Sequence, residues 1–265
     1  AYKKAAEKDD LEIAWQFQRV LSTRRLPIKF IGAWDTVSSV IVPRSDRFPF
    51  VLSLRTLPYT RKNPSVEVFR QAASIDERRS MFRLNRWLED QEFKPNRFDS
   101  GEAPPQDFKQ VWFAGVHADV GGGYPETESG LAKFPLQWMI DEATDHGLKI
   151  NKQMYDRLVL GKTRPNSSRT YVAPNPAGKL HRSLKKLWWP LELFPKRAKW
   201  REWPSRLSFL GLYLPLAEPR RIDAGALVHH SVFDRMDTVP GYRPVNLPPR
   251  DKVGIEPPES TVKNP

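Results

Sequence analysis

The order of elements in this sequence predicts an α/β fold with a mostly parallel sheet covered by helices. Three observations carry that expectation. Residues 27–34 and 109–116 are short, apolar, and rich in β-branched or aromatic side chains, so both read as strands. Each runs into a polar cluster, Asp35 with Thr36 after the first and His117 with Asp119 after the second. Segments with helical spacing lie before, between and after them.

In chain order, residues 1–23 read as a helix. Asp9 and Asp10 start it, and Leu11, Ala14, Trp15, Gln18 and Leu21 recur at helical steps. Arg24 and Arg25 sit near its end, where cations suit the helix dipole. After the first strand, residues 43–64 read as a loop punctuated by Pro43, Pro49, Pro58 and Pro64. Residues 65–87 read as a second helix, with Val66, Phe69, Ala72, Ala73, Met81, Leu84 and Leu88 as its apolar members and a charged middle at Asp76-Glu77-Arg78-Arg79. A polar loop covers 94–106. Beyond the second strand and its Gly121-Gly122-Gly123 turn, residues 134–146 form a helix, with Pro135 in its first turn and Gly147 as its stop. Residues 1–150 are thus expected to form the α/β part. Residues 151–265 are expected to be a basic, Trp- and Pro-rich extension packed on the same domain, its tail from Pro240 lying over the surface.

Composition bounds the function. The chain has 265 residues, 39% hydrophobic and 28% charged, enough to bury a core. No run approaches the ~18 apolar residues of a membrane-spanning helix, and no secretory signal is evident. There are no cysteines, which excludes disulfides and thiolate metal sites. A formal net charge of +12 favours anionic partners. The compartment stays open between cytoplasm and export. The opening at Ala1, inside a helical pattern, suggests a piece of a longer protein.

Two residues carry the chemistry. His117, held at a strand end beside a flexible glycine turn, is placed to act as a general base; the alternative is a histidine that only caps the strand. Asp35, at the end of the other strand, could bind the second ring nitrogen and fix the tautomer; the alternative is a turn aspartate. Asp119 competes for that orienting role, or could share a divalent metal with His117. One histidine and two aspartates are not a metal signature, and neither metal nor cofactor is expected. In α/β hydrolases the triad runs Ser, Asp, His along the chain, and Asp35 before His117 obeys that order. The sequence contains no G-x-S-x-G.

These residues carry a family resemblance. Phe30-Ile-Gly-Ala-Trp-Asp-Thr-Val37 and Val111-Trp-Phe-Ala-Gly-Val-His-Ala-Asp-Val-Gly-Gly-Gly-Tyr124 resemble the two signature blocks of the α/β-hydrolase family catalogued as domain of unknown function 2235. That family includes the first family of type VI secretion lipase effectors, bacterial phospholipases. Residues 69–79, 136–143, 230–232 and 242–248 match further, so the resemblance covers nearly the whole chain. It implies a Ser-Asp-His triad in which Asp35 and His117 fill the last two places. The serine elbow and the strands before it have no counterpart here, and Ser38 and Ser39 do not resemble an elbow. Gln71 stands where the family carries a histidine. The resemblance implies a serine hydrolase of carboxylic esters, plausibly phospholipids, and the chain as it stands is expected to be inactive. The alternative is a non-catalytic hydrolase-fold domain that binds anionic lipid or protein.

Residues 179–206 hold nine Lys or Arg against Glu192 and Glu202, with four of the nine tryptophans. The favoured reading is a subdomain whose tryptophans plug the core while its lysines face water. The other is an anionic membrane surface contacted through Lys185, Lys186, Trp188, Trp189, Lys196, Arg197, Trp200 and Trp203. No nucleic-acid motif is present, and nucleic acid is not an expected partner.

Overall fold

The computed structural model describes residues 16, 19–20, 26–37, 40–43, 52–55, 61–96, 98, 100–163 and 169–258. Of the helix expected over residues 1–23, only Gln16, Arg19 and Val20 are described, and they are helical; the rest lies outside the described residues. Ser38 and Ser39 also lie outside them.

The first strand, β1 (Ile28–Trp34), forms as the sequence predicts. The expected loop over 43–64 contains a correction: β2 (Val40–Pro43) and β3 (Leu52–Arg55) pair antiparallel as a hairpin. A larger correction follows. Residues 65–87 are not a helix; they begin with β4 (Val66–Ser74), buried along nearly its whole length. A strand buried on both faces loses its alternation and becomes a continuous apolar run. The spacing of Val66, Phe69, Ala72 and Ala73 then mimics a helical face. Asp76 to Arg79 form the irregular segment that leaves this strand.

The second predicted strand is β5 (Asp107–Phe113). The short helix α1 (His117–Gly121) follows, ended by Gly122 in the left-handed region at φ 78°. Next come α2 (Lys133–Asp145), as expected, and α3 (Lys152–Leu158). Beyond these lie α4 (Trp189–Glu192), the small pair β6 (Lys196–Arg197) and β7 (Leu212–Tyr213), then β8 (Leu227–His229), α5 (His230–Thr238) and β9 (Gly254–Glu256).

Five of these strands make one sheet in the order β1-β4-β5-β8-β9, every pair parallel. This is an α/β fold. Residues beyond 151 supply β8 and β9, and β9 falls in the tail from Pro240, so that tail adds a strand to the sheet. Successive residues of a strand face opposite ways, and the two cores show it. Ala72, Val111 and Phe113 face α2, packing with Phe134, Trp138 and Met139. Ala73 and Trp112 face α5, packing with Val232 and Phe233. Arg70, inside β4 yet only 3% exposed, is satisfied by Asp107 and Glu142. The parallel sheet brings the carboxyl ends of β1, β4 and β5 side by side, where α/β folds place their ligands.

Candidate active site

Asp35 follows β1 directly and is fully buried, with its backbone at φ 45°. Aspartate tolerates that left-handed conformation better than most residues. Its backbone N–H donates to Ala72 O at 2.7 Å, and its Oδ1 accepts the Ser74 N–H at 2.8 Å, so β4 fixes the carboxylate.

His117 is the first residue of α1 and partly exposed. Its backbone N–H donates to Glu77 Oε2 at 3.2 Å. Its ring Nδ1 lies 2.7 Å from Asp35 Oδ2. Asp35, as a carboxylate, can only accept here, so the contact requires a proton on Nδ1 and leaves the Nε2 lone pair open in the neutral ring. The ring meets Phe82 edge-on, with centroids 5.1 Å apart.

The loop before His117 is held from β4's exit segment. Asp76 Oδ2 accepts the Gly115 N–H and the Tyr242 hydroxyl, both at 2.8 Å. Burial pushes the Asp76 carboxyl above its usual range, against those two bonds. Glu77 is fully buried and accepts the backbone N–H groups of Arg78 and Arg79 and the Arg79 guanidinium at 2.9 and 2.8 Å. Burial would raise its carboxyl, but the Arg79 bonds and charge hold it below the usual range. Gly115 has φ 127°, and a Cβ there would lie 2.5 Å from Asp119 Cβ. Only glycine fits that approach.

Asp119 is turned away from His117. Its Oδ2 accepts the Val116 N–H at 3.1 Å, and its Oδ1 meets His181 Nδ1 at 2.6 Å. The opposite ring nitrogen of His181 meets Glu128 Oε2 at 2.7 Å, and Tyr124 stacks on the ring. The two carboxylates lie on opposite edges of one imidazole and cannot converge on a metal. Among the described residues, no group of three or more His, Cys, Asp or Glu is placed to hold one.

Sequence reasoning missed Arg220. Its Nη1 and Nη2 donate to Asp35 Oδ1 and Oδ2 at 2.5 and 3.0 Å. It also donates to Ser74 Oγ at 2.8 Å and to Phe82 O at 2.5 Å. Asn246 Nδ2 in turn donates to Arg220 O and Ile75 O, both at 3.0 Å. Burial pushes the Asp35 carboxyl up. The Arg220 charge and the bonds from His117 and Arg220 outweigh it and hold Asp35 well below the usual carboxylate range. Nothing in the sequence around Pro219-Arg220-Arg221 signals this role, 185 residues downstream of its partner.

Gln71 is buried and donates from Nε2 to Thr36 Oγ1 at 2.7 Å and Asn85 O at 2.9 Å. In the basic stretch, Lys196 is corrected: it is buried, contacting Ser80 Oγ and Met81 Sδ, so it faces no membrane. Trp188 packs edge-on against Phe82 with Arg79 over its ring, and Trp203 Nε1 donates to Pro219 O at 2.8 Å. Trp189 is 43% exposed, and Lys185 and Arg197 are exposed. The side chain of Lys186 lies outside the described residues.

The five-stranded parallel sheet covered by helices is consistent with a hydrolase-like domain. The model of the family described as "T6SS, Phospholipase effector Tle1-like, catalytic domain" matches residues 1–142, and the chain belongs to this family. A stretch of 46 residues is 44% identical to the uncharacterized protein YEL023C of Saccharomyces cerevisiae, covering 16% of this chain and 7% of that protein's length. No solved structure matches the chain.

Proposed function

We propose that His117 is the base, and Asp35 the carboxylate that orients it, in a serine-dependent hydrolase of carboxylic esters acting on phospholipid. The observation that supports this reading is the 2.7 Å contact between His117 Nδ1 and the buried Asp35 carboxylate. A serine outside these 265 residues attacks the ester carbonyl, and His117 Nε2 takes its proton. His117 then protonates the departing alcohol. It next activates a water that releases the fatty acid from the acyl-serine. Asp35 holds the Nδ1 proton and stabilises the imidazolium formed in each half-reaction. Backbone N–H groups at the serine's own turn would stabilise the oxyanion. Residues 151–265 belong to the same working unit, because Arg220 braces Asp35 from there.

The second reading is a hydrolase-fold module that binds anionic lipid or protein without turnover. The absence of G-x-S-x-G from the sequence favours it. Labelling with a fluorophosphonate, which reacts with activated serines, separates the two. On the first reading the product of the intact gene is labelled and releases fatty acid, His117→Ala abolishes both, and the 265-residue chain alone does neither. An intact product that binds vesicles but carries no reactive serine establishes the second.

A further inference from the structure

The stretch 193–216 holds an apolar surface that water does not select. From Leu212 to Ala217 the side chains alternate strictly: Tyr213, Pro215 and Ala217 point inward, while Leu212, Leu214 and Leu216 point out. Positions that face water are usually polar; here β7 and the turn that follows it, with Leu216 and Ala217 at φ 48° and 54°, set three leucines on the outside. Their orientation is pinned. Tyr213 is 3% exposed and its hydroxyl bonds Glu218 at 2.9 Å and Trp200 O at 3.0 Å, so its neighbours Leu212 and Leu214 cannot turn inward in its place.

The tip is more exposed still. Leu207, Phe209 and Leu210 are 94%, 78% and 85% exposed. Phe209 and Leu212 exchange both backbone hydrogen bonds, at 2.8 and 2.9 Å, closing a two-residue turn. Its central residues, Leu210 and Gly211, have φ 48° and 74°. That is the mirror-image turn in which Asn, Asp or Gly normally takes the first place. Leucine there is costly to the backbone and exposes an isobutyl group to water, so neither folding nor solubility accounts for it.

Charge identifies the occupant. Between residues 182 and 217 the only acids are Glu192 and Glu202. Glu192 is fully buried and spent on the Ser80 N–H and hydroxyl, and Glu202 is half-buried beside Arg83. Arg182, Lys185, Arg197 and Lys199 are exposed. An apolar tip in a stretch whose exposed charged residues are cations fits the interface of an anionic bilayer, with the side chains among the acyl chains and the cations at the headgroups.

We propose that the hairpin of residues 193–216 docks on anionic phospholipid by inserting Leu207, Phe209 and Leu210. The proposal rests on the phospholipase reading above, for which it supplies the route to an aggregated substrate. It shifts the membrane contact from the tryptophans and Lys196 to this leucine-bearing turn.

The test is flotation of the 265-residue chain with vesicles of diether phosphatidylcholine, with and without diether phosphatidylglycerol. Ether lipids cannot be hydrolysed as esters, so failure here leaves the Asp35–His117 reading untouched. The chain is expected to bind the phosphatidylglycerol vesicles and to release progressively with salt. Leu210→Asn suits the turn, so it should melt no lower than wild type; with Phe209→Ser it should weaken binding by about tenfold or more. Unchanged binding by the double variant overturns the proposal, as does a folded wild type that binds no vesicle. A wild-type dimer that the double variant dissolves also overturns it, since the occupant is then a second copy.

Discussion

Arg220 grips both carboxylate oxygens of Asp35, at 2.5 and 3.0 Å, and His117 shares one of those oxygens. Asp35 therefore divides its charge between a permanent cation and an imidazole. The arginine is 3% exposed and Asp35 is fully buried, so neither charge has water to fall back on. The pair ties a residue near the carboxyl end of the chain to the end of the first strand.

Removing one partner of such a pair strands the other in a poor solvent. Arg220→Met is expected to cost about 3–5 kcal/mol of stability in urea unfolding. Arg220→Lys should cost less, because it keeps the charge while losing the fork that spans Asp35, Ser74 and Phe82.

The depressed Asp35 carboxyl has a pH signature. Its folded value lies below its unfolded one, so it contributes stability above about pH 4 that is lost as pH falls toward the folded value. Stability should drop below about pH 4 with a contribution approaching ~1.4 kcal/mol per pH unit. Asp35→Asn should be less stable at neutral pH and should lack that part of the acid slope. Urea unfolding at a series of pH values reads both.

Lys196 titrates in the other direction. Burial lowers it to about 8, over the opposing pull of Glu192. A lysine that loses its proton more easily when folded costs stability at neutral pH, and that cost is relieved between about 8 and its usual value near 10.4. Wild type should therefore gain stability relative to Lys196→Met as pH rises through that window. A flat difference across it would show that Lys196 keeps ordinary solvation.

Gly115 tests the loop that aims His117. Gly115→Ala places a methyl against Asp119 Cβ and strains a backbone at φ 127°. A loss of more than about 1 kcal/mol is expected. Thermal melts measure the loss, and the His117–Asp35 contact should loosen with it.

The two strands that lead to Asp35 and His117 were legible because short apolar runs end abruptly in polar residues. Helix α2 was legible from its stripe and its terminal signals. Strand β4 was not, since burial on both faces erased the period that tells strand from helix. Strands β8 and β9 have three residues each, too short for any pattern. The pairing of Asp35 with His117 could be anticipated from their positions at strand ends. The pairing of Asp119 with His181, and of Arg220 with Asp35, depends on loops whose paths no local pattern encodes. Lys196 read as a surface cation because sequence does not distinguish a lysine that enters a core beside a buried glutamate from one that faces water.

The central claim is that Asp35 fixes His117 with its proton on Nδ1 and a free lone pair on Nε2. Long-range nitrogen–proton NMR of the histidine rings reads this directly, with His117 assigned by comparison with His117→Gln. The account predicts the Nδ1–H tautomer for His117 near neutral pH, lost in Asp35→Ala while the signals of His181 and His229 stay in place. An Nε2–H tautomer in the wild type, or an Nδ1–H signal that persists without Asp35, would contradict it.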